Sequence, residues 1–195
     1  MPTDFAVYYL TQPFGLAMQL ALLVVPAVLL RLAAPNSFAK LGFRRVAFGQ
    51  LAVAVATFLL SAVSAYSLGR TKVQLGHIES AEFTGWVASS SVYLFVLTYV
   101  FALAFASLVL VPFCVWLSRK NKASLARLLG LGGALAVGLA VLTVVFPSNE
   151  WGREHPFGLF ISTLSSLGVG TLTVCLAFGI GARLPMRSAM PHNAT

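Results

Sequence analysis

A helix needs roughly 20 consecutive, mostly apolar residues to cross about 30 Å of hydrocarbon, and five stretches of this chain meet that requirement. They run over Phe14–Leu32, Val46–Leu68, Trp86–Leu117, Leu125–Phe146 and Phe157–Ala182. Ionisable side chains fall only at their boundaries, where Arg31 and Arg127 can reach the headgroups along their own stems. In lipid every backbone N–H and C=O must be satisfied within the segment or in a closed barrel. The short alternating strands of a barrel are absent from the sequence, so the expected fold is all-α. The reading is a polytopic transmembrane helical bundle of about five spans, one domain over residues 1–185, with a short tail at 186–195.

Composition excludes the soluble alternative. Apolar residues make up 58% of the chain and charged residues 9%, whereas a soluble domain carries about a quarter charged residues. The net charge of +8 would suit a nucleic-acid partner, but its placement is topological. Arg31, Lys40, Arg44 and Arg45 flank the first connection. Arg119, Lys120, Lys122 and Arg127 flank the third, and Arg183 and Arg187 follow the last span. The other side holds Arg70, Lys72 and Arg153, together with Asp4, Glu79, Glu82, Glu150 and Glu154. Basic loops stay in the cytoplasm. The expectation is therefore an outside N-terminus and an inside C-terminus, in a bacterial cytoplasmic (inner) membrane, with lipids and a membrane protein as partners and no nucleic acid. The first run lacks a basic n-region and is too long for a signal core, so it reads as a retained span.

Apolar side chains give helices no net drive to associate in lipid, and small residues that let backbones approach take over. Gly132, Ala136 and Ala140 form one such stripe on the fourth span, and Ser166 with Gly170 a similar pair on the fifth. Ala52 and Ala56 offer small residues on the second. Pro26 and Pro112 lie inside spans and remove a backbone donor each.

Polar chemistry converges at the outer face. His77, Glu79 and Glu82 fall in one loop, and Glu150, Trp151, Glu154 and His155 in another, which makes these seven the candidate binding residues. Imidazole and carboxylate are the usual ligands of divalent cations, but the spacing matches no metal motif and no metal site is expected. No histidine lies in mid-span, so no cofactor is expected in the bundle. An interfacial haem, pigment or metal at His155 stays open as an alternative. Ser89, Ser90 and Ser91 share a leaflet with His155, yet no GxSxG elbow or aspartate partner accompanies them, and no catalytic residue is assigned. Proton-coupled transport needs an intramembrane ionisable residue, and the spans contain none. Passage of a small neutral solute would instead use Thr98, Tyr99, Thr143, Ser162 and Thr163.

In residues 125–182 a small-residue helix ends in Phe146-Pro147, a short loop reaches His155, and Gly158 opens the last helix. This arrangement resembles uncharacterised bacterial multi-span membrane proteins with an FP…H outer loop, and more loosely the DRAM-like membrane proteins. The resemblance implies the same orientation for the last two spans. It also implies six spans, of which this chain would lack the first, and no established reaction. The acidic residue expected just after the proline is replaced by Ser148-Asn149, with Glu150 next. The leading expectation is a non-catalytic membrane subunit or accessory protein working through helix faces and outward loops. A small-solute channel or transporter is the alternative, and a lipid-modifying enzyme the third.

Overall fold

Prolines begin several of the helices, because the N–H they lack is one the first turn leaves unbonded in any case. In the computed structural model, which describes residues 12–147 and 150–186, Pro13, Pro35 and Pro156 each open one. The described chain folds as α1 (Pro13–Ala33), α2 (Pro35–Leu41), α3 (Phe43–Gln74), α4 (Phe83–Arg119), α5 (Leu125–Val145), α6 (Glu150–Glu154) and α7 (Pro156–Gly181). Tyr8, Tyr9, Asp4, Ser148, Asn149, Arg187 and His192 lie outside the described residues.

Four helices, α3, α4, α5 and α7, are long and apolar enough to cross a membrane. Only 17–33% of the most apolar window of each is buried, so most of their apolar surface faces outward, which water would penalise and lipid does not. The first expected span is also helical, as α1, but its described apolar stretch, Ala17–Ala33, is shorter than the other four. At 32 residues, α3 is about 48 Å long. That is longer than the roughly 30 Å of a hydrocarbon core, and its last turns carry Arg70 and Lys72, so the α3–α4 connection is shorter than the sequence suggests. The brief helices α2 and α6 were not anticipated. Both are too short to show a periodic apolar pattern, and α2 holds its place by burying Phe38 and Leu41.

Consecutive helices form two hairpins, α3 with α4 and α5 with α7, joined where α3 lies along α7. The α1 helix docks on α2 and on the middle of α4. The join needs close backbones. A Cβ on Gly49 would sit 2.8 Å from the Phe178 ring, and one on Gly181 would collide with the Phe48 carbonyl. The contiguous core gathers at this end of the bundle, around Val46, Val53, Leu110, Cys114, Leu128 and Phe178. Here too lie Arg31, Lys40, Arg44 and Arg45, the basic residues of the α4–α5 turn, and Arg183. Gly42, at φ 78°, turns α2 into α3 in a conformation that side chains disfavour.

Two further contacts fasten the basic end. Backbone N–H groups of Leu125 and Ala126 donate to the carbonyls of Pro185 and Met186, at 2.9 and 3.3 Å. The segment after α7 thus satisfies donors that the first turn of α5 leaves open. Lys40 Nζ donates to Asn121 Oδ1 at 2.9 Å, tying α2 to the α4–α5 turn.

The stripe Gly132, Ala136, Ala140 is buried against α7. A Cβ on Gly132 would meet Cys175 Sγ at 2.8 Å, and one on Gly168 would meet the Ala136 Cβ at 4.0 Å. The partner face on α7 is therefore Gly168 and Cys175, not Ser166 and Gly170. Ser166 is exposed and bonds its own backbone, and a Cβ on Gly170 would enter open space. Two residues along a helix turn the face by about 200°, which separates the expected pair from the observed one.

In α4 the backbone widens to π geometry over Ala106–Leu110, where the Val111 N–H donates to the Ala106 carbonyl. Pro112 follows directly. A proline ring clashes with the carbonyl four residues back, and an enlarged turn relieves that contact. Pro26, by contrast, lies within an unbroken α1.

Candidate functional site

Two polar regions compete for the role of functional site: the rim at the acidic end of the bundle, where the carboxylates lie, and the interior of the α3–α4 hairpin. At the rim, α3 ends at Gln74 and a tight turn follows, in which the His77 N–H donates to the Lys72 carbonyl at 2.9 Å. Gly76, at φ 71°, permits that turn. His77, Glu79 and Glu82 are all exposed. In the second loop Glu150, Trp151, Glu154 and His155 are exposed as well. The His155 ring lies against Trp151, with centroids 5.5 Å apart, and Trp151 in turn covers Gly158 at the start of α7. Among the described residues the imidazole makes no hydrogen bond to Glu150 or Glu154. Through Trp151 the ring thus lies where α6 meets the start of α7. No group of three His, Cys, Asp or Glu side chains that could hold a metal ion occurs among the described residues.

Basic and aromatic side chains interleave at the same rim. Lys72 Nζ sits 5.0 Å from the Trp86 ring centre, and Tyr66 meets Phe83 edge-on at 5.6 Å. Beside them a cleft of about 440 Å³ is lined by Tyr66, Arg70, Val73, Gln74, Ser80 and Phe83. Close packing of α3 on α4 holds this geometry, since a Cβ on Gly69 would strike both Phe83 and Trp86.

The interior region centres on Gln50. Its amide is buried in α3 and Nε2 donates to Ser107 Oγ, in the π turn of α4, at 3.0 Å. About three turns further along α3, Ser61 Oγ and Thr98 Oγ1 are 3.2 Å apart. The Thr98 proton is directed to the Leu94 carbonyl at 2.7 Å, so Ser61 is the donor to Thr98. Thr57 bonds the Val53 carbonyl at 2.8 Å. Every buried side-chain nitrogen and oxygen among the described residues has a partner. The Gln50–Ser107 and Ser61–Thr98 contacts thus join α3 to α4, while Thr57 bonds within α3.

The hydroxyls expected to line a solute path divide between two helix pairs. Thr98 and Tyr99 belong to α4, with Tyr99 stacked on Phe95 at 5.1 Å. Thr143 of α5 donates to the Ala140 carbonyl at 2.8 Å and approaches Thr163 of α7 at 3.4 Å. Ser162 is exposed. Ser89 and Ser91 donate back to carbonyls of Gly85 and Val87 at 2.9 and 2.6 Å, the common habit of serine in a membrane helix. Gln50 and Ser107 escaped the sequence reading because neither is ionisable. A lone amide in an otherwise apolar span was the signal that could have found the first.

No protein-family model, curated protein or solved structure matches this chain.

Proposed function

We propose that this chain is a five-span, non-catalytic membrane subunit with its N-terminus outside and its C-terminus in the cytoplasm, acting through its helix faces and outer loops in a larger assembly. The observation that carries this reading is the breadth of outward apolar surface on four long helices, combined with interior polar groups that satisfy one another. A transport path requires polar groups turned to a lumen. Here Gln50, Ser107, Ser61 and Thr98 spend their bonds on holding α3 to α4. The basic residues gathered at the cored end support the orientation, and the bacterial inner membrane is the setting that suits it.

Liposomes containing the purified chain test the proposal against its main rival. Swelling in gradients of small neutral solutes should match that of empty liposomes, while native gels of mild membrane extracts should place the chain in a discrete complex larger than itself. Solute-selective swelling would replace the subunit reading with a channel. Migration as a lone chain in every mild extract would remove the assembly.

A further inference from the structure

On the exposed flank of the α3–α7 join, toward the basic end, lies an apolar groove of about 510 Å³. Ala52, Ala56 and Ala177 form a shallow floor, and Phe48, Val55 and Leu59 form one wall. Arg183 closes one end. Its position is well defined: it takes the left-handed conformation at φ 53° just past α7, where its N–H donates to the Ile180 carbonyl and the next N–H to that of Gly179. Arg44 lies one turn before Phe48 and Arg45 beside it, so both stand on the helical face that continues the Phe48 wall. All three arginines are exposed. Every described carboxylate, Glu79, Glu82, Glu150 and Glu154, is at the opposite end of the bundle.

We propose that this groove seats one acyl chain of an anionic glycerophospholipid, whose phosphate is held by Arg183 with Arg44 and Arg45 at the rim. Two observations choose this occupant. The wall from Phe48 to Leu59 extends about 16 Å along α3, roughly half of the 30 Å hydrocarbon core. That length fits a chain confined to one leaflet and leaves a partner transmembrane helix half uncovered. The second observation is charge. Three arginines without carboxylates at the headgroup end favour a lipid of net negative charge over a zwitterionic one. The proposal rests on the membrane-embedded reading above but not on its orientation. With the proposed orientation, the leaflet is the cytoplasmic one.

The test uses the full chain in mild detergent, with equimolar phosphatidylglycerol and phosphatidylcholine of matched acyl chains, read by native mass spectrometry. Phosphatidylglycerol should be retained preferentially, and Arg183→Gln should reduce that preference about fivefold, the worth of one basic side chain near an anionic headgroup. Arg44→Gln should act in the same direction, while Arg153→Gln, at the other end, should leave the preference unchanged. Ala56→Phe fills the floor and should lower retention of both lipids. Equal retention of the two lipids by the unaltered chain would overturn the proposal. So would equal effects of Arg183→Gln and Arg153→Gln. Conversion of a dimer to a monomer by Ala56→Phe, with lipid binding untouched, would assign the groove to a second copy of the chain. Reversed topology in a labelling experiment would move the site to the other leaflet and leave lipid retention as stated, so the two readings fail separately.

Discussion

Gln50 places a buried amide in the α3–α4 interface. An amide left unpaired in an apolar medium costs several kcal/mol, and Gln50 avoids this through Ser107 at 3.0 Å. Hydrogen bonds between membrane helices are nonetheless modest, because the unfolded chain in lipid also finds partners. A double-mutant cycle of Gln50→Leu and Ser107→Ala, followed by reversible unfolding in mixed micelles, should give a coupling of about 0.6–1.7 kcal/mol. Zero coupling would mean that the two side chains only share a location. At the acidic end the His155 ring lies tilted against Trp151. His155→Ala should lower the thermal midpoint, and His155→Phe should restore it without altering any activity. Loss of a bound metal, haem or pigment in both variants, with stability intact, would make His155 a ligand. The histidine was visible in the sequence as part of an outer-face cluster. Its neighbour was not, because a carboxylate next in sequence and an indole one helical turn back are equally reachable until the backbone is placed.

Among the elements, the α5–α7 pair offers the sharpest contrast. Ala136 is buried at the contact with α7, whereas the adjacent Val137 is 46% exposed. Ala136→Leu should therefore cost on the order of 1–3 kcal/mol by overpacking, and Val137→Leu should be nearly neutral in the same unfolding assay. Equal tolerance would place the Ala136 stripe on lipid. The stripe itself was legible, since three small residues at four-residue spacing share a face whatever they touch. Spacing alone picked out Ser166 and Gly170 as a small pair on α7, while the residues that meet the stripe are Gly168 and Cys175. Both faces of α7 carry small residues, and which of them turns inward is set by the crossing with α3 at Gly49 and Gly181. The π turn of α4 is similar. Pro112 announced a disturbed helix, but a kink and a widened turn relieve the same clash, and the neighbouring helices select between them.

For the whole molecule the proposed orientation is the claim easiest to break. Cys114 and Cys175 are buried and should give little background with a membrane-impermeant thiol reagent. Glu79→Cys and Glu154→Cys should label when the reagent is added outside intact cells, and Asn36→Cys and Lys122→Cys only after the membrane is opened. The reverse pattern would invert the bundle. These four positions lie beyond the ends of the long helices, so substitution there leaves the packed interior alone.

Apolar run length, proline and glycine placement, and the distribution of thirteen basic residues were enough to define helices, their approximate limits and a basic and an acidic end. Each of these follows from local solvation: a backbone in hydrocarbon must close its own hydrogen bonds, and a charge must reach the headgroups. The tertiary structure decided what local solvation leaves degenerate. All faces of α3 are apolar enough for lipid, yet one pairs Gln50 with Ser107, one meets α7 at Gly49, and one is left as a groove ending at Arg183. Burial energy hardly distinguishes such faces in a membrane, because lipid solvates an apolar side chain about as well as a neighbouring helix does. Shape and hydrogen bonding make the choice, and they exist only once two helices have met.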